Sequence, residues 1–319
     1  MKKLILAAVA IGFAIAPALS ADAIRIVGSS TVYPFTTAVA EQFAKKTGSA
    51  APIVEATGTG GGIKLFCQGD DPNSPDAVNA SREMKPDEIE LCAKNGVKDI
   101  EKIAIGLDAI VLAHAKDNKD INVTLDQLYR AVAKYVLVDG KFVENPYSEW
   151  TNSKGEQVRM EILGPPPTSG TRDSFVELVV EKACKAAVKE AGITLSADDE
   201  KKYCKSIRED GVYVEAGEND NLIVQKLIAN PDAFGIFGYS FLEQNLSTIS
   251  GASIEGVKPD YDSIEGGQYP ISRKLYVYFK GSHLESKPEL KQFMDEYQSE
   301  EAIGEDGYLV DKGLLPLGN

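Results

Sequence analysis

The chain has 319 residues, with 34 Lys and Arg against 48 Asp and Glu, and a formal net charge of −14 at pH 7. A field of that sign repels polyanions and argues against nucleic acid as a partner. A small anion can still bind where local N–H groups and arginines dominate. A chain of this length exceeds one small core and suits two lobes.

The N-terminus is typical of an export signal. Lys2 and Lys3 precede an apolar run that is too short to span a membrane, and small residues follow it. The pattern predicts a signal peptide over residues 1–20, with cleavage after Ser20 or, equally well, after Ala23. No cysteine stands at this junction, so we expect an exported, soluble protein without a lipid anchor. Loss of the two lysines takes the net charge from −14 to −16.

Four cysteines, an even number in an exported chain, predict disulfides. They are Cys67, Cys92, Cys184 and Cys204. Three pairings are open, and we favour Cys67–Cys92 with Cys184–Cys204 because each pair then lies within one predicted lobe. No pair has the Cys-x-x-Cys spacing of a zinc or redox site, so we expect a structural role.

The N-terminal third alternates between strand and helix patterns. Apolar spacing and turn residues predict strands over 24–27, 52–56 and 77–82, and helices over 36–46, from Ile63 onward and over 86–94. This order predicts βαβ units on a parallel sheet, and therefore an α/β fold.

A long apolar strand over 103–114 is expected to cross into a second lobe. That lobe would span residues 109–241, and the first lobe would comprise 24–108 plus 242–319. Within these segments the patterns predict helices over 125–133, 222–229 and 288–297, and strands over 233–239 and 269–279. Two crossings, at 108–110 and 239–242, form the layout of a hinge.

Three segments share one design, in which a strand is followed by a turn of Gly, Ser and Thr and then by a helix. They are residues 28–31, 58–62 and 168–171. Such turns gather at the carboxyl ends of the strands, where helix N-termini and hydroxyls bind anions. Each could instead be an ordinary helix cap. Together they predict one anion pocket shared by both lobes, with Ser29 and Gly60 as further candidates.

Arg172 directly follows the third turn, and Arg82 ends a predicted strand next to Ser81, which is a further candidate for the pocket. Both arginines are candidates for binding an oxyanion, although either could be a surface arginine. Asp220 lies at a polar helix start and is either a cap or a ligand contact.

Other chemistries lack their motifs. The glycine run has Ile63 where the dinucleotide fingerprint requires glycine, and no P-loop lysine follows it. Ser169 is not in a Gly-x-Ser-x-Gly elbow. His114 is expected to be buried on a strand and His283 to be solvated in a loop. We expect no cofactor and no metal site.

These segments together resemble the periplasmic phosphate-binding proteins of bacterial phosphate ABC transporters. The resemblance rests on the segments that begin at Gly28, Thr57, Asn79, Thr168, Gly235 and Tyr269. It covers nearly the whole mature chain and implies a two-lobed, type II (Venus-flytrap) periplasmic-binding-protein fold with two crossover strands. It also implies a monomer that captures inorganic phosphate, presents it to a membrane permease and catalyses no reaction.

By position, the family's phosphate ligands correspond to a set of hydroxyl and turn residues in this chain. They are Ser30, Thr31, Thr59, Ser169, Gly170 and Thr171. The better-known branch of the family has an aspartate where this chain has Arg82, and an arginine near Pro165. We therefore expect Arg82 and Arg172 to supply the positive charge, and Asp220 or Asp173 to accept from a protonated anion.

Two alternative functions of the pocket stay open at this point, and a third alternative is an exported adhesion or matrix protein in which the pocket is vestigial. One is a binding protein for another tetrahedral oxyanion, such as sulfate or a phosphonate. The other is a secreted phosphatase that uses the same pocket.

Overall fold

The computed structural model describes residues 23–118, 121–152, 154–217 and 220–318. The predicted signal peptide lies outside the described residues. The strands are β1 (Arg25–Gly28), β2 (Ile53–Ala56), β3 (Ala77–Ala80), β4 (Ile100–Ala115), β5 (Asn122–Val123), β6 (Tyr135–Val138), β7 (Lys141–Glu144), β8 (Glu149–Thr151), β9 (Gln157–Arg159), β10 (Ile162–Gly164), β11 (Tyr213–Glu215), β12 (Phe234–Gly238), β13 (Ile249–Gly251), β14 (Ser253–Ile254) and β15 (Ser272–Lys280).

The α-helices are α1 (Tyr33–Thr47), α2 (Thr59–Phe66), α3 (Pro86–Lys94), α4 (Leu125–Val132), α5 (Gly170–Phe175), α6 (Lys182–Glu190), α7 (Ala197–Cys204), α8 (Asp220–Ala229), α9 (Tyr239–Gln244), α10 (Tyr261–Glu265), α11 (Gly281–Ser286), α12 (Pro288–Tyr297) and α13 (Glu300–Ile303). A π-helical turn (Val176–Glu181) joins α5 to α6, and a short 3-10 helix spans Val310–Lys312.

The main sheet is mixed rather than parallel throughout. Its strand order is β11-β10-β12-β4-β15-β3-β1-β2, and β13 also pairs with β4. β1 runs parallel to β2 and β3, as the βαβ pattern predicts. β15 is antiparallel to both β3 and β4, because it returns to the sheet from a distant part of the chain.

The long strand β4 joins the two halves of the sheet. Its N-terminal part pairs with β15 as far as Ala109, which lies opposite Ser272. From Ile110, opposite Gly238, it pairs with β12 instead. We call the β15 side of this change the first lobe and the β12 side the second lobe. The crossing strand predicted over 103–114 is therefore present.

The hydrophobic cores bear on the return crossing. Buried side chains from Leu242 to Ile271 pack in the same core as the second half of β4. From Leu275 to Leu314, the clustered buried residues belong to the first-lobe cores, whereas Leu315 belongs to the second-lobe core. β13 lies beyond the return crossing expected at 239–242, and it pairs with the second half of β4, on the β12 side of the sheet.

Helix α2 begins at Thr59, four residues before the predicted start at Ile63. The glycine run therefore lies inside the helix. A Cβ on Gly62 would come within 2.4 Å of Gly28 Cα, so the glycine lets α2 pack directly against β1. Tertiary packing outweighs the low helix propensity of glycine at this position.

Both favoured disulfides are present. Cys67–Cys92 joins the end of α2 to α3, and Cys184–Cys204 joins α6 to α7. Each bond connects elements of one lobe and leaves the crossing strands unconstrained. Among the described residues, no helix is both long enough and apolar enough to cross a membrane.

Candidate oxyanion-binding cleft

A cleft of about 590 Å³ lies between the lobes, at the carboxyl ends of β1, β2 and β3. Its lining brings together seven residues predicted from the sequence: Ser29, Ser30, Thr31, Thr59, Gly60, Ser81 and Arg82. The second lobe contributes Asp173, Val176, Glu177, Glu181, Lys185 and Lys205. The first two Gly/Ser/Thr segments thus meet in one cleft, as parallel strand ends do.

The first loop is held close to β3. Gly28 has φ of 129°, and a Cβ there would lie 2.2 Å from Asn79 O. Ser29 N donates to that same carbonyl at 2.9 Å. This close approach requires glycine, and it turns the hydroxyls of Ser30 and Thr31 toward the cleft edge.

Thr59 begins helix α2, and its hydroxyl is tied to Ser81. The two Oγ atoms are 2.8 Å apart, and Ser81 N donates to Thr59 Oγ1 at 3.1 Å. The first N–H groups of a helix have no intrahelical acceptor and carry the positive end of its dipole. The start of α2 therefore offers N–H groups and hydroxyls to an anion.

Arg273, on β15, is a cation that the sequence did not single out and that contacts two cleft-lining residues, Thr31 and Glu177. Its Nη2 lies 3.0 Å from Thr31 Oγ1 and 2.9 Å from Ser174 Oγ. Its Nη1 donates to Glu177 Oε2 at 2.6 Å, and its Nε lies 3.3 Å from Asp108 Oδ2. The one guanidinium thus contacts both lobes beside the cleft.

Asp108 fixes the position of this arginine. The two residues are directly opposite each other in the antiparallel β4–β15 ladder. Ser174 Oγ lies 2.9 Å from the same carboxylate oxygen. The strand register and the ion pair together hold the guanidinium near the point where β4 changes its partner from β15 to β12.

Arg172 was expected in the pocket, and the structure places it elsewhere. Its Nη1 donates to Pro165 O at 3.0 Å, and its guanidinium lies 4.5 Å from the centre of the Tyr213 ring. Burial, the largest influence, raises the pKa of Tyr213 to about 12, so its ring stays neutral. Because Arg172 lies two residues beyond Gly170, the start of α5, its side chain projects toward β11 rather than into the cleft.

The third turn lies where the lobes touch and not in the cleft lining. Gly170 approaches the Ser30 carbonyl, and a Cβ there would lie 3.5 Å from it. Ser169 precedes α5 and is buried, and Thr171 follows within the first helical turn. Asp173 and Ser174, which follow this turn, contact the first lobe. Ser30 Oγ donates to Asp173 Oδ2 at 2.6 Å, and Thr31 Oγ1 lies 3.1 Å from Ser174 Oγ.

Arg82 lines the cleft but is already paired. Both of its terminal nitrogens donate to the Glu88 carboxylate at 2.8 Å. The hydrogen bonds between the Arg82 and Glu88 side chains are the main reason that the pKa of Arg82 is raised and the pKa of Glu88 is lowered. Asp220, at the start of α8, is not among the residues that line the cleft.

Charges of both signs face the cleft from the second lobe. Glu181 accepts from Lys185 and Lys205, at 2.6 and 2.9 Å. Burial alone would raise the pKa of Glu181, but the two lysines outweigh it and lower that pKa. The cleft therefore offers donors and acceptors together, which suits a small, partly protonated oxyanion.

Neither histidine lines the cleft. His114 is buried on β4, as expected. His283 was expected to be solvated, but it is 4% exposed and its Nδ1 lies 2.6 Å from Asp76 Oδ1. Within the described ranges, no group of three or more His, Cys, Asp or Glu residues is arranged to hold a metal ion.

A second cavity of about 590 Å³ lies inside the second lobe, between α4, the β8–β9 hairpin and the sheet. Its lining is largely apolar and includes Leu112, Leu128, Trp150, Met160 and Phe234. Such a lining does not compensate the desolvation of a small multivalent anion. The interlobe cleft is the better oxyanion site.

Comparisons with known proteins agree with this architecture. Protein SphX of Synechocystis sp. is 29% identical over 294 residues, which cover 88% of this chain and 75% of that protein. The phosphate-binding protein PstS of Staphylococcus saprophyticus is 28% identical over 274 residues, covering 84% of this chain and 73% of that protein. The crystal structure of a possible phosphate-binding protein from Planctomyces limnophilus covers 93% of both chains, with a TM-score of 0.73 and 25% identity.

A family model described as a PBP superfamily domain matches residues 16–301. The match spans both lobes and both crossings of the chain. The chain therefore belongs to the PBP superfamily.

Proposed function

We propose that this protein captures inorganic phosphate between its two lobes and delivers it to an ABC permease. The observation that carries the proposal is the convergence of the α2 N-terminus and the Thr31 and Ser81 hydroxyls in one interlobe cleft, with the Arg273 guanidinium beside it, 3.0 Å from Thr31 Oγ1. Relatives that match most of the chain bear the name phosphate-binding protein.

Binding would use charge-assisted hydrogen bonds in a site that the lobes enclose. Such bonds are roughly twice as strong as neutral ones. Thr59 and Ser81 would donate from the first lobe, and Arg273 would donate from the boundary between the lobes. Asp173, an exposed carboxylate in the cleft lining, would accept from a protonated oxyanion and disfavour fully deprotonated sulfate.

Release would follow from opening about the crossing strands. We assign residues 24–108 and 272–318 to the first lobe and 109–271 to the second, following the partners of β4 in the sheet. Residues 1–20 would direct export to the periplasm, where the protein would act as a soluble monomer. In this role it binds and releases phosphate without changing it chemically.

The test is calorimetry of protein that has been stripped of bound anions by unfolding and refolding. Phosphate and arsenate should each bind at one site, while sulfate should bind far more weakly. Equal binding of sulfate or a phosphonate would assign the cleft to tetrahedral oxyanions in general. Turnover of a phosphate monoester that disappears in Ser169→Ala would instead support a secreted phosphatase.

A further inference from the structure

We infer that Glu177 is a built-in competitor of the anion: its carboxylate occupies donor groups of the cleft and must leave Arg273 when phosphate binds. This inference rests on the proposed function and names a residue that sets the affinity of the same site.

The carboxylate of Glu177, in the second lobe, reaches two donors of the first lobe. Its Oε2 accepts from Arg273 Nη1 at 2.6 Å and lies 3.5 Å from Ser81 Oγ. Ser81 is in turn bonded to Thr59. One anionic oxygen thus sits between the guanidinium and the hydroxyl pair, in the position that an oxyanion oxygen would take.

The surroundings of Glu177 confirm which charges it faces. Glu88 is the main cause that raises the pKa of Arg82, and Glu177 adds a smaller effect of the same sign. Glu177 therefore lies within electrostatic reach of Arg82 as well as Arg273. A bound dianion would be attracted by both arginines and repelled by the Glu177 carboxylate.

Exposure decides which partner of Arg273 can leave. The Arg273 and Asp108 side chains are 8% and 17% exposed, whereas the Glu177 side chain is 44% exposed. Exposed ion pairs contribute little to stability because water screens them. Asp108 is held opposite Arg273 by strand register, while Glu177 stands on the π-helical turn of the other lobe. The arginine would thus keep Asp108 and exchange Glu177 for phosphate.

The same contact ties the lobes together before phosphate arrives. Glu177 belongs to the second lobe, whereas its two partners, Arg273 and Ser81, belong to the first. Breaking this tie should therefore favour the open form in the absence of phosphate and should remove a competitor in its presence. A residue with a purely structural role would not produce both effects.

The experiment compares phosphate affinity in wild type, Glu177→Gln and Glu209→Gln by calorimetry at one ionic strength. Glu209 is the matched control, because it is an exposed second-lobe carboxylate that pairs with a cation, Lys134 at 3.2 Å, but does not line the cleft. Glu177→Gln should bind phosphate roughly threefold to tenfold more tightly than wild type, as expected for loss of an exposed competing pair. Glu209→Gln should change the affinity by less than about twofold, since only the long-range charge differs.

Small-angle X-ray scattering without phosphate supplies an independent measurement. The radius of gyration of Glu177→Gln should exceed that of wild type, and that of Glu209→Gln should not. If wild type binds phosphate and Glu177→Gln binds it equally or more weakly, Glu177 is not a competitor, although the proposed function stands. If none of the three proteins binds phosphate, the proposed function fails and this inference fails with it.

Discussion

Replacing Arg273 with glutamine should separate its two roles, in anion binding and in stability. The guanidinium contacts Thr31, Ser174, Asp108 and Glu177, and glutamine would keep only part of these contacts and none of the charge. A hydrogen bond to a charged group contributes about 1.5–3 kcal/mol. Loss of one or two such bonds to phosphate corresponds to about 3 kcal/mol, or roughly a hundredfold weaker binding.

The stability cost arises from Asp108. Its carboxylate would lose the cation that compensates its partial burial, at a cost of about 3 kcal/mol or somewhat more. Adding Asp108→Asn to Arg273→Gln removes that uncompensated charge, so the double variant should recover much of the lost stability. It should not recover the phosphate affinity, because the guanidinium is still missing.

The assay is calorimetry with phosphate, combined with denaturant unfolding, on both variants and on Arg172→Gln as the control. Arg172 carries the same charge but contacts Pro165 and Tyr213 outside the cleft. Its variant should bind phosphate within about twofold of wild type, since more distant charges are screened. Binding by Arg273→Gln that matches wild type, or a greater loss in Arg172→Gln, would refute the reasoning.

Three further predictions concern the scaffold. Burial lowers the pKa of Lys280 to about 8. Because folding disfavours the charged ammonium group, the native state binds fewer protons than the unfolded state does. The free energy of unfolding of wild type, compared with that of Lys280→Met, should therefore increase by about 3 kcal/mol between pH values below 8 and pH values above 10.5. Denaturant unfolding at a series of pH values measures this difference, and a difference that does not change with pH would contradict the prediction. Gly62→Ala, which forces a Cβ against Gly28 of β1, should lose about 2 kcal/mol in urea unfolding, whereas Gly60→Ala, whose Cβ would meet only Arg82 Nη2 at 3.9 Å, should not; equal losses would show that the close approach of α2 to β1 does not decide the cost. Removing the disulfide by Cys184→Ala with Cys204→Ala should cost about 3 kcal/mol in the same assay, because it closes a short loop; no change would mean that the unfolded chain is not constrained by this bond.

Local patterns were sufficient for much of the fold. Helix α3 spans the predicted 86–94 because Pro86 favours a helix start and the acidic first turn complements the dipole. The crossing strand was recognisable from its unusual length and apolar character. The α2 start was missed because four of its flanking residues are glycines, and only the packed structure shows that Gly62 must approach Gly28.

The first-lobe part of the candidate site followed from local signals, since each hydroxyl comes directly after a strand. Arg273 did not, because its position depends on the register of β15 against β4, which brings together residues 165 positions apart. One indication was present in the sequence: Arg273 is a charged residue next to the Tyr269–Pro–Ile–Ser segment that opens an apolar strand.

For Arg172, the local sequence pointed to the cleft, but the side chain lies against Tyr213 instead. It is adjacent in sequence to the predicted anion-binding turn, but sequence adjacency does not fix the direction of a side chain on a helix. The first turn of α5 brings Gly170 and Asp173 to the first lobe and turns Arg172 toward Tyr213. Direction on a helix depends on where the helix starts, and a proline-rich approach leaves that start undetermined in the sequence.

The most direct test of the central claim is a crystal structure of the stripped protein soaked with arsenate, with the anomalous signal of arsenic locating the anion. Arsenate has the charge and shape of phosphate. The proposed function predicts one strong anomalous peak in the interlobe cleft, within hydrogen-bond distance of Thr59, Ser81 and Arg273. A peak elsewhere on the protein, or no peak at a saturating arsenate concentration, would contradict it.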